Sequence, residues 1–294
     1  MILAAAAYPP SFLPDWDSYA QKITDWVAQA ATKGADLCVF PEYGALEVAT
    51  LDGEATARDL EGSIHAVSER IDQIDALHAD LASRYRLHIL AASAPVFDPE
   101  VGARPVNRAR LFTPTGAMGV QDKQIMTQFE RDDWHIVPGG PLRLFDTALG
   151  KIGVLICYDC EFPLLGRALA EADLILVPSV TEALHGHSRV RIGARARALE
   201  NQCVTVMASL VGPAAWSEAI DISTGRGGMF GPPDIGFPDN GVLAQGAIDH
   251  PGWTLVEIDR STIAQVRAAG VVRNRAHWSE QKGRDTPAPM VALR

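Results

Sequence analysis

Three side chains of this 294-residue chain stand where apolar runs give way to turns, the position from which α/β folds present reactive groups. Glu42 directly follows Leu37-Cys38-Val39-Phe40-Pro41. A carboxylate held behind a strand and a proline is rigid enough for general acid or base work. Taken singly, it reads first as an exposed loop acid. Lys123, in Asp122-Lys123-Gln124, reads singly as a solvated surface charge. Cys157 follows Gly153-Val154-Leu155-Ile156 and precedes Tyr158-Asp159-Cys160-Glu161-Phe162-Pro163. A cysteine closing an apolar strand before a helix start can aim its sulfur into a cleft, with the turn's N–H groups facing an oxyanion. Free cysteine is also a common core residue, so nucleophile and core packing remain evenly matched for Cys157 alone.

The surrounding pattern supplies elements able to hold these groups. Short apolar runs alternate with helical stretches, the rhythm of α/β layers. Asp15–Lys33 has helical spacing, with Trp16, Tyr19, Ile23, Trp26, Val27 and Ala30 on one stripe and Gly34 as a stop. The pattern predicts strands over Asp36–Phe40, Leu87–Ala94 and Leu174–Val177, and helices over Ser63–Arg84, Pro163–Glu171 and His187–Asn201. Arg108–Thr113 and Met118–Val120 flank a Pro114-Thr115-Gly116 turn, Leu142–Phe145 and Lys151–Cys157 a Leu149-Gly150 turn, and Val204–Leu210 is a further strand. From Val211 to His250 frequent Gly and Pro leave only short strands. No repeat or linker interrupts the pattern, so one domain is expected over residues 1–268. A tail follows over 269–294, holding Asn274, His277 and Trp278, with the capacity to pack on a partner subunit.

Composition narrows the function classes. The net charge of −10 argues against a nucleic-acid partner, whose phosphates are bound by clustered Lys and Arg. No apolar run reaches the ~18 residues of a membrane span. Met1-Ile2-Leu3-Ala4-Ala5-Ala6-Ala7 has no basic leader and reads as a first strand rather than a signal peptide. Four cysteines in so long a chain do not form a disulfide framework, and a cytoplasmic protein is expected.

Together the three groups, in the order Glu, Lys, Cys, resemble the triad of the nitrilase (carbon–nitrogen hydrolase) superfamily. The segments around them carry the same resemblance. Gly34–Glu42 resembles that family's first block, and Asn107–Gly116 the strand and turn leading to its lysine. Gly150–Pro163 is similar to its cysteine elbow, and Ala194–Gln202 to the helix after its pocket strand. The resemblance implies a four-layer αββα sandwich assembled as a homodimer or larger homo-oligomer. It implies Glu42 as general base, Lys123 as oxyanion-stabilising cation and Cys157 as nucleophile, with no metal or organic cofactor. The second glutamate common in that family falls on Glu130, with Asp132 and Asp133 close by, and the N–H of Tyr158 becomes an oxyanion donor. Tyr43, Trp134, Glu161, Thr181 and Glu182 are the expected pocket residues.

The implied activity is hydrolysis of a small linear amide through a thioester, with nitrilase or N-carbamoyl amidohydrolase activity as alternatives. The paired arginines that grip a carboxylate in the carbamoyl branch are replaced here by Cys160-Glu161, which disfavours an anionic substrate, unless an arginine from the Arg189–Arg197 stretch reaches the pocket. Tyr158-Asp159 resembles amidase branches rather than the Trp-Glu of nitrilases proper. Two readings of other classes stand beside this one. One is a non-catalytic binding protein keeping the fold; the other is an oxidoreductase using Cys157-Tyr158-Asp159-Cys160 as a C-x-x-C, which lacks thioredoxin-like surroundings. His185-Gly186-His187 has no paired ligand at metal-site spacing and reads as pocket lining or loop. Gly225–Gly231 departs from the dinucleotide fingerprint.

Overall fold

The computed structural model describes residues 1–293. Its strands are β1 (Ile2–Tyr8), β2 (Leu37–Val39), β3 (His88–Val96), β4 (Val106–Phe112), β5 (Met118–Asp122), β6 (Phe145–Thr147), β7 (Gly150–Val154), β8 (Leu174–Ser179), β9 (Val204–Leu210), β10 (Gly212–Pro213), β11 (Ile222–Ser223), β12 (Gly228–Phe230), β13 (Val242–Gln245) and β14 (Gly252–Glu257). The α-helices are α1 (Trp16–Thr32), α2 (Glu54–Arg58), α3 (Leu60–Ser68), α4 (Ile71–Tyr85), α5 (Gln128–Asp132), α6 (Pro163–Ala168), α7 (Leu184–Asn201), α8 (Arg260–Ala269) and α9 (Asn274–His277).

Twelve strands form one hydrogen-bonded sheet that divides into two arms at its middle. The first arm runs β5-β4-β3-β2-β1-β14 and the second β6-β7-β8-β9-β12-β13. Among the described residues the arms are joined as paired strands only at the ends of β1 and β9, where Ala7 pairs with Ser209 and Tyr8 with Leu210. Each arm has parallel strands at its centre and antiparallel strands at its edges. Helices α1, α3 and α4 cover the first arm, and α6 and α7 the second. This is the four-layer αββα arrangement.

Small residues make the junction possible. Ala4, Ala5 and Ala6 of β1 are fully buried, and a Cβ on Gly227, just before β12, would lie 2.5 Å from the Ala5 carbonyl oxygen. The outer helices are held by ordinary amphipathic burial. In α1, Asp15 caps the first turn by accepting from Ser18 N at 2.8 Å, and Tyr19, Ile23, Val27 and Ala30 face the sheet. Each of the large apolar groups contributes about 1.5–3 kcal/mol relative to exposure.

Several expected boundaries shift. The single helix over Ser63–Arg84 is two helices, α3 and α4, broken at Glu69-Arg70, where Arg70 turns back to pair with Asp52. The apolar spacing continues across the break, so periodicity alone does not reveal it. The strand before the cysteine ends at Val154, and Cys157–Glu161 is a 3-10 turn, so Cys157 opens the turn rather than closing the strand. The helix after it is the short α6, begun by Pro163. Strand β6 lies a few residues beyond the expected Leu142–Phe145. Helix α7 starts at Leu184, which places His185-Gly186-His187 in its first turns and not in a loop. Beyond α8, residues 270–281 pack on their own chain. Arg275 bonds the Ala170 carbonyl at 2.8 Å and pairs with Glu171, and Arg167 lies over the Trp278 ring.

Candidate active site

Four strand ends converge on one cavity of about 260 Å3. Glu42 arrives from β2 through Phe40-Pro41, and Lys123 is the first residue beyond β5. Cys157 follows β7 through Leu155-Ile156, and Val180 and Thr181 follow β8. All of these residues line the cavity, as do Tyr43, Glu130, Trp134, Tyr158, Glu161 and Glu182. Every residue that the sequence marked for catalysis, support or the pocket is therefore brought together here.

Lys123 is at the centre and 1% exposed, unlike a surface lysine. Its Nζ donates to Glu42 Oε1 at 2.7 Å and to Glu130 Oε2 at 2.6 Å. Glu130 sits in α5, whose first turn is a capping box: Glu130 Oε2 accepts from Thr127 N and Thr127 Oγ1 at 2.9 Å. Asp132 and Asp133 are exposed, so Glu130 is the second carboxylate beside the lysine. The hydroxyl of Tyr43 donates to Glu130 Oε1 at 2.7 Å, and Tyr43 packs on Trp134 with ring centroids 4.7 Å apart.

Asn107 and the backbone of Val180 complete the frame, and neither was marked from the sequence. Asn107 Nδ2 donates to Glu42 Oε1 at 3.0 Å, and Val180 N donates to Glu42 Oε2 at 3.1 Å. Cys157 Sγ donates to the Val180 carbonyl at 3.5 Å. Both the Glu42 carboxylate and the Cys157 sulfur are thus registered against one residue, Val180, just beyond the end of β8. Asn107 opens the segment that leads to the lysine. Its position facing Glu42 depends on β4 pairing with β3, a long-range fact with no local signature.

The electrostatics follow from two buried carboxylates sharing one buried cation. Burial pushes Glu42 above the ordinary carboxylate range against the pull of Lys123, and the Glu130 charge adds to the rise. Burial opposes ionisation of Glu130 as well, but Lys123 and the hydrogen bonds of Thr127 and Tyr43 outweigh it, so its carboxyl falls below the usual range. Burial also works against the Lys123 ammonium and is overcome by Glu130 and Glu42, so the lysine stays charged. The Cys157 thiol is raised by burial and by the Glu42 charge, with Lys123 opposing. A proton exchanged between the Cys157 sulfur and Glu42 leaves the cluster's total charge unchanged. Transfer inside the cavity therefore avoids the cost of a second uncompensated anion.

Cys157 has φ 50°, a left-handed conformation that a non-glycine residue adopts at a cost of about 1–3 kcal/mol. The turn holds it from both sides. Asp159 accepts from Ile156 N at 3.3 Å, and behind the turn the Cys160 carbonyl accepts from Arg197 Nη1 at 2.9 Å. Cys160 is fully buried against α7, its Sγ donating to the Val190 carbonyl at 3.4 Å. Its place is in packing, away from the cavity. At the cavity mouth Arg189 Nε lies 3.5 Å from Glu161, so one arginine of the α7 stretch does reach the rim and meets an acid there. Arg191 and Arg195 bond Gln245 and the Asn240 carbonyl instead. Among the described residues, no three His, Cys, Asp or Glu side chains are arranged to hold a metal ion.

Residues 3–268 match the family model for carbon–nitrogen hydrolase. The chain belongs to that family, whose enzymes act on C–N bonds other than peptide bonds. It is 32% identical over 260 residues to a probable hydrolase, YhcX, of Bacillus subtilis, a match covering 88% of this chain and 50% of that protein. The chain thus spans about half the length of that relative. It is 25% identical to a deaminated glutathione amidase of Synechocystis over 90% of this chain and 94% of that one. The carbon–nitrogen hydrolase of Helicobacter pylori G27 superposes with a TM-score of 0.73 at 18% identity, over 97% of this chain and 95% of that chain, and shares the fold. No helix among the described residues is long and apolar enough to cross a membrane.

Proposed function

We propose that this carbon–nitrogen hydrolase cleaves a small linear amide to a carboxylic acid and ammonia or an amine, through a thioester on Cys157. The observation carrying the reading is the convergence of Glu42, Lys123 and Cys157 on one cavity, with both carboxylate oxygens and the lysine nitrogen fixed by named partners. Amides resist water because resonance weakens the carbonyl as an electrophile and the amine as a leaving group; a thiolate divides that barrier in two. Glu42 takes the Cys157 proton as sulfur attacks the carbonyl, then delivers it to the departing nitrogen. It next draws a proton from water, which attacks the thioester and releases acid and thiol. The Lys123 ammonium and the Tyr158 N–H hold the oxyanion in both halves, each donor worth roughly 3–4 kcal/mol. Glu130 and Asn107 keep the lysine and base aligned.

The cavity suits a substrate of a few heavy atoms beyond the amide, bounded by Tyr43, Trp134 and Thr181. Small size follows from the volume and the aromatic walls. We place the protein in the cytoplasm, a reading that its four free, buried cysteines support. We further read it as a homo-oligomer formed through the outer face of α6 and α7, where Leu164, Leu184, Ile192 and Leu199 are exposed. Incubation with a panel of primary amides, ω-amides, carbamoyl compounds and nitriles, read by ammonia release, tests the activity. Turnover of an amide with an acyl adduct on Cys157 is expected. Turnover of nitriles alone, or of none, would overturn it.

A further inference from the structure

Asp159 takes no part in the chemistry above, yet its buried carboxyl group is hydrogen-bonded to the chain neighbours of both Lys123 and Cys157. Its Oδ1 accepts from Gln124 N at 3.1 Å and Ile125 N at 2.9 Å, the two residues after Lys123. Its Oδ2 accepts from Ile156 N at 3.3 Å, the residue before Cys157, and from Gln124 N at 3.1 Å. The side chain is 1% exposed, and among the described residues no Lys or Arg pairs with it. A carboxylate left without a cation in the interior is costly unless several N–H groups converge on it, and here three do.

The rest of the neighbourhood shows why that position matters. Cys160 ties the rear of the turn to α7 through Arg197 and Val190. Lys123 is tied to β4 by its own N–H, which donates to the Asn107 carbonyl at 2.9 Å. Those anchors belong to opposite arms of the sheet. Between them, at the backbone level, stands the Asp159 carboxylate, Oδ1 serving the lysine loop alone and Oδ2 shared between that loop and the strained turn. Burial raises its pKa to about 7, against the pull of the Lys123 charge and of the Ile125 and Gln124 N–H groups.

We propose that Asp159 is a positioning residue, holding the loop behind Lys123 and the turn before Cys157 at one separation so that Nζ and Sγ address the same carbonyl. The proposal rests on the triad reading above but can be tested apart from it. In Asp159→Asn the side chain keeps one acceptor oxygen, while its NH2 group meets an N–H donor on the other side, so either the turn at Ile156 or the loop at Ile125 loses its acceptor. The measurement is the second-order rate of Cys157 alkylation by iodoacetamide, followed by intact mass on the folded full-length chain. It requires no knowledge of the substrate. Alkylation is expected to slow tenfold or more, and for any amide the parent hydrolyses kcat should fall tenfold or more with KM within twofold. A folded Asp159→Asn protein alkylated within twofold of the parent overturns the proposal, because lost stability alone does not change thiol reactivity in the folded state. If that variant does not fold, Asp159→Ala is titrated with formate. Recovery of the alkylation rate with folding supports the proposal, and recovery of folding alone overturns it. A parent that alkylates normally but hydrolyses no amide removes the functional reading and leaves this one standing.

Discussion

Two buried lysine–carboxylate clusters lie only five residues apart in sequence, and only one has the makings of a site. Glu42 meets Lys123 at 2.7 Å; Glu47, in the 3-10 segment Gly44–Asp52, meets Lys22 of α1 at 2.6 Å. Both glutamates are nearly unexposed and both are raised by burial. Around Glu47 everything is closed: Tyr8 donates its hydroxyl, Ser11 N donates at 3.1 Å, and one lysine answers one carboxylate. Around Lys123 two carboxylates answer one lysine, a thiol adjoins them, and a cavity opens beside all four. A buried ion pair is a structural feature by default. Surplus charge, a nucleophile and space for a third molecule together turn it into chemistry.

The sharpest way to break the comparison is to remove the proposed nucleophile. Cys157→Ala should fold as the parent does and form no acyl adduct, while Cys160→Ala should retain turnover, since its sulfur faces Val190. Intact mass after incubation with a processed amide checks both. A substrate adduct on Cys157→Ala would mean that the closed-turn geometry has been misread.

The two glutamates should then separate cleanly. Glu42→Gln keeps the shape and leaves Lys123 its Glu130 counter-ion, but its NH2 group cannot replace an acceptor oxygen or shuttle a proton, so kcat should drop by ~10² or more with a smaller loss of stability than in Glu47→Gln. Glu47→Gln leaves Lys22 without its counter-ion. It should cost roughly 3 kcal/mol of stability and leave kcat per folded molecule within about twofold. Lys123→Ala belongs to both classes, because it strands two carboxylates and removes the proposed oxyanion donor. Equal kinetic effects from Glu42→Gln and Glu47→Gln would erase the distinction drawn here.

How much of this contrast could be read in the chain alone depends on where the information lies. Glu42, Lys123 and Cys157 each follow an apolar run, and the blocks around them have local signatures, so the fold class and the residues that line the cavity were legible. The apolar run and proline before Glu42 mark its place, but nothing local shows that it meets a thiol and a cavity while Glu47 does not. The difference arises because β5 and β7, far apart in sequence, deliver Lys123 and Cys157 to the end of β2. Asn107 and Val180 escaped for the same reason: their roles are set by pairing of β4 with β3 and of β8 with β7. The break at Glu69-Arg70 leaves the apolar spacing intact, and the short strand β12 owes its register to its distant partner β9. Local pattern carries elements and their ends; it does not carry which ends meet.

A pH titration sharpens the contrast on the closed side. His78 of α4 is buried between Phe40 and Phe112, and burial lowers its pKa to about 4, Arg110 adding to the fall and the Ile74 carbonyl opposing it. A folded-state pKa below the unfolded 6.5 means that the unfolded chain binds the extra proton. Stability from this group is therefore complete above pH 6.5 and lost as pH falls toward 4. Between pH 7 and pH 5 the loss amounts to about 2 kcal/mol. Raised acids such as Asp75, near 6, and Asp159, near 7, act in the opposite sense over part of this range. The difference between parent and His78→Phe isolates the histidine: the variant should lose about 2 kcal/mol less on acidification, in urea melts at the two pH values, with kcat unaffected. An unchanged slope would show that His78 is not held neutral.

The smallest expected effect lies at the cavity mouth, where the two kinds of environment grade into each other. Arg189 is 57% exposed and its Nε is 3.5 Å from Glu161, so the pair is worth no more than about 1 kcal/mol and is weakened further by salt. Glu182 adds a second acid to the same rim, which leaves the mouth slightly negative. A substrate carboxylate there would compete with Glu161 for a single solvated guanidinium, without the bidentate grip that fixes such groups. Neutral or cationic amides should therefore be favoured over their ω-carboxylate analogues by less than tenfold. Arg189→Ala should widen the preference and Glu161→Gln should shrink it, each by a few-fold in kcat/KM and least at high ionic strength. Measuring the carboxylate, methyl ester and amine analogues of one processed amide decides the matter. A tenfold preference for the carboxylate, about 1.4 kcal/mol of transition-state binding, would show that Arg189 leaves Glu161 to grip the substrate and that the rim is a recognition site rather than a screened edge.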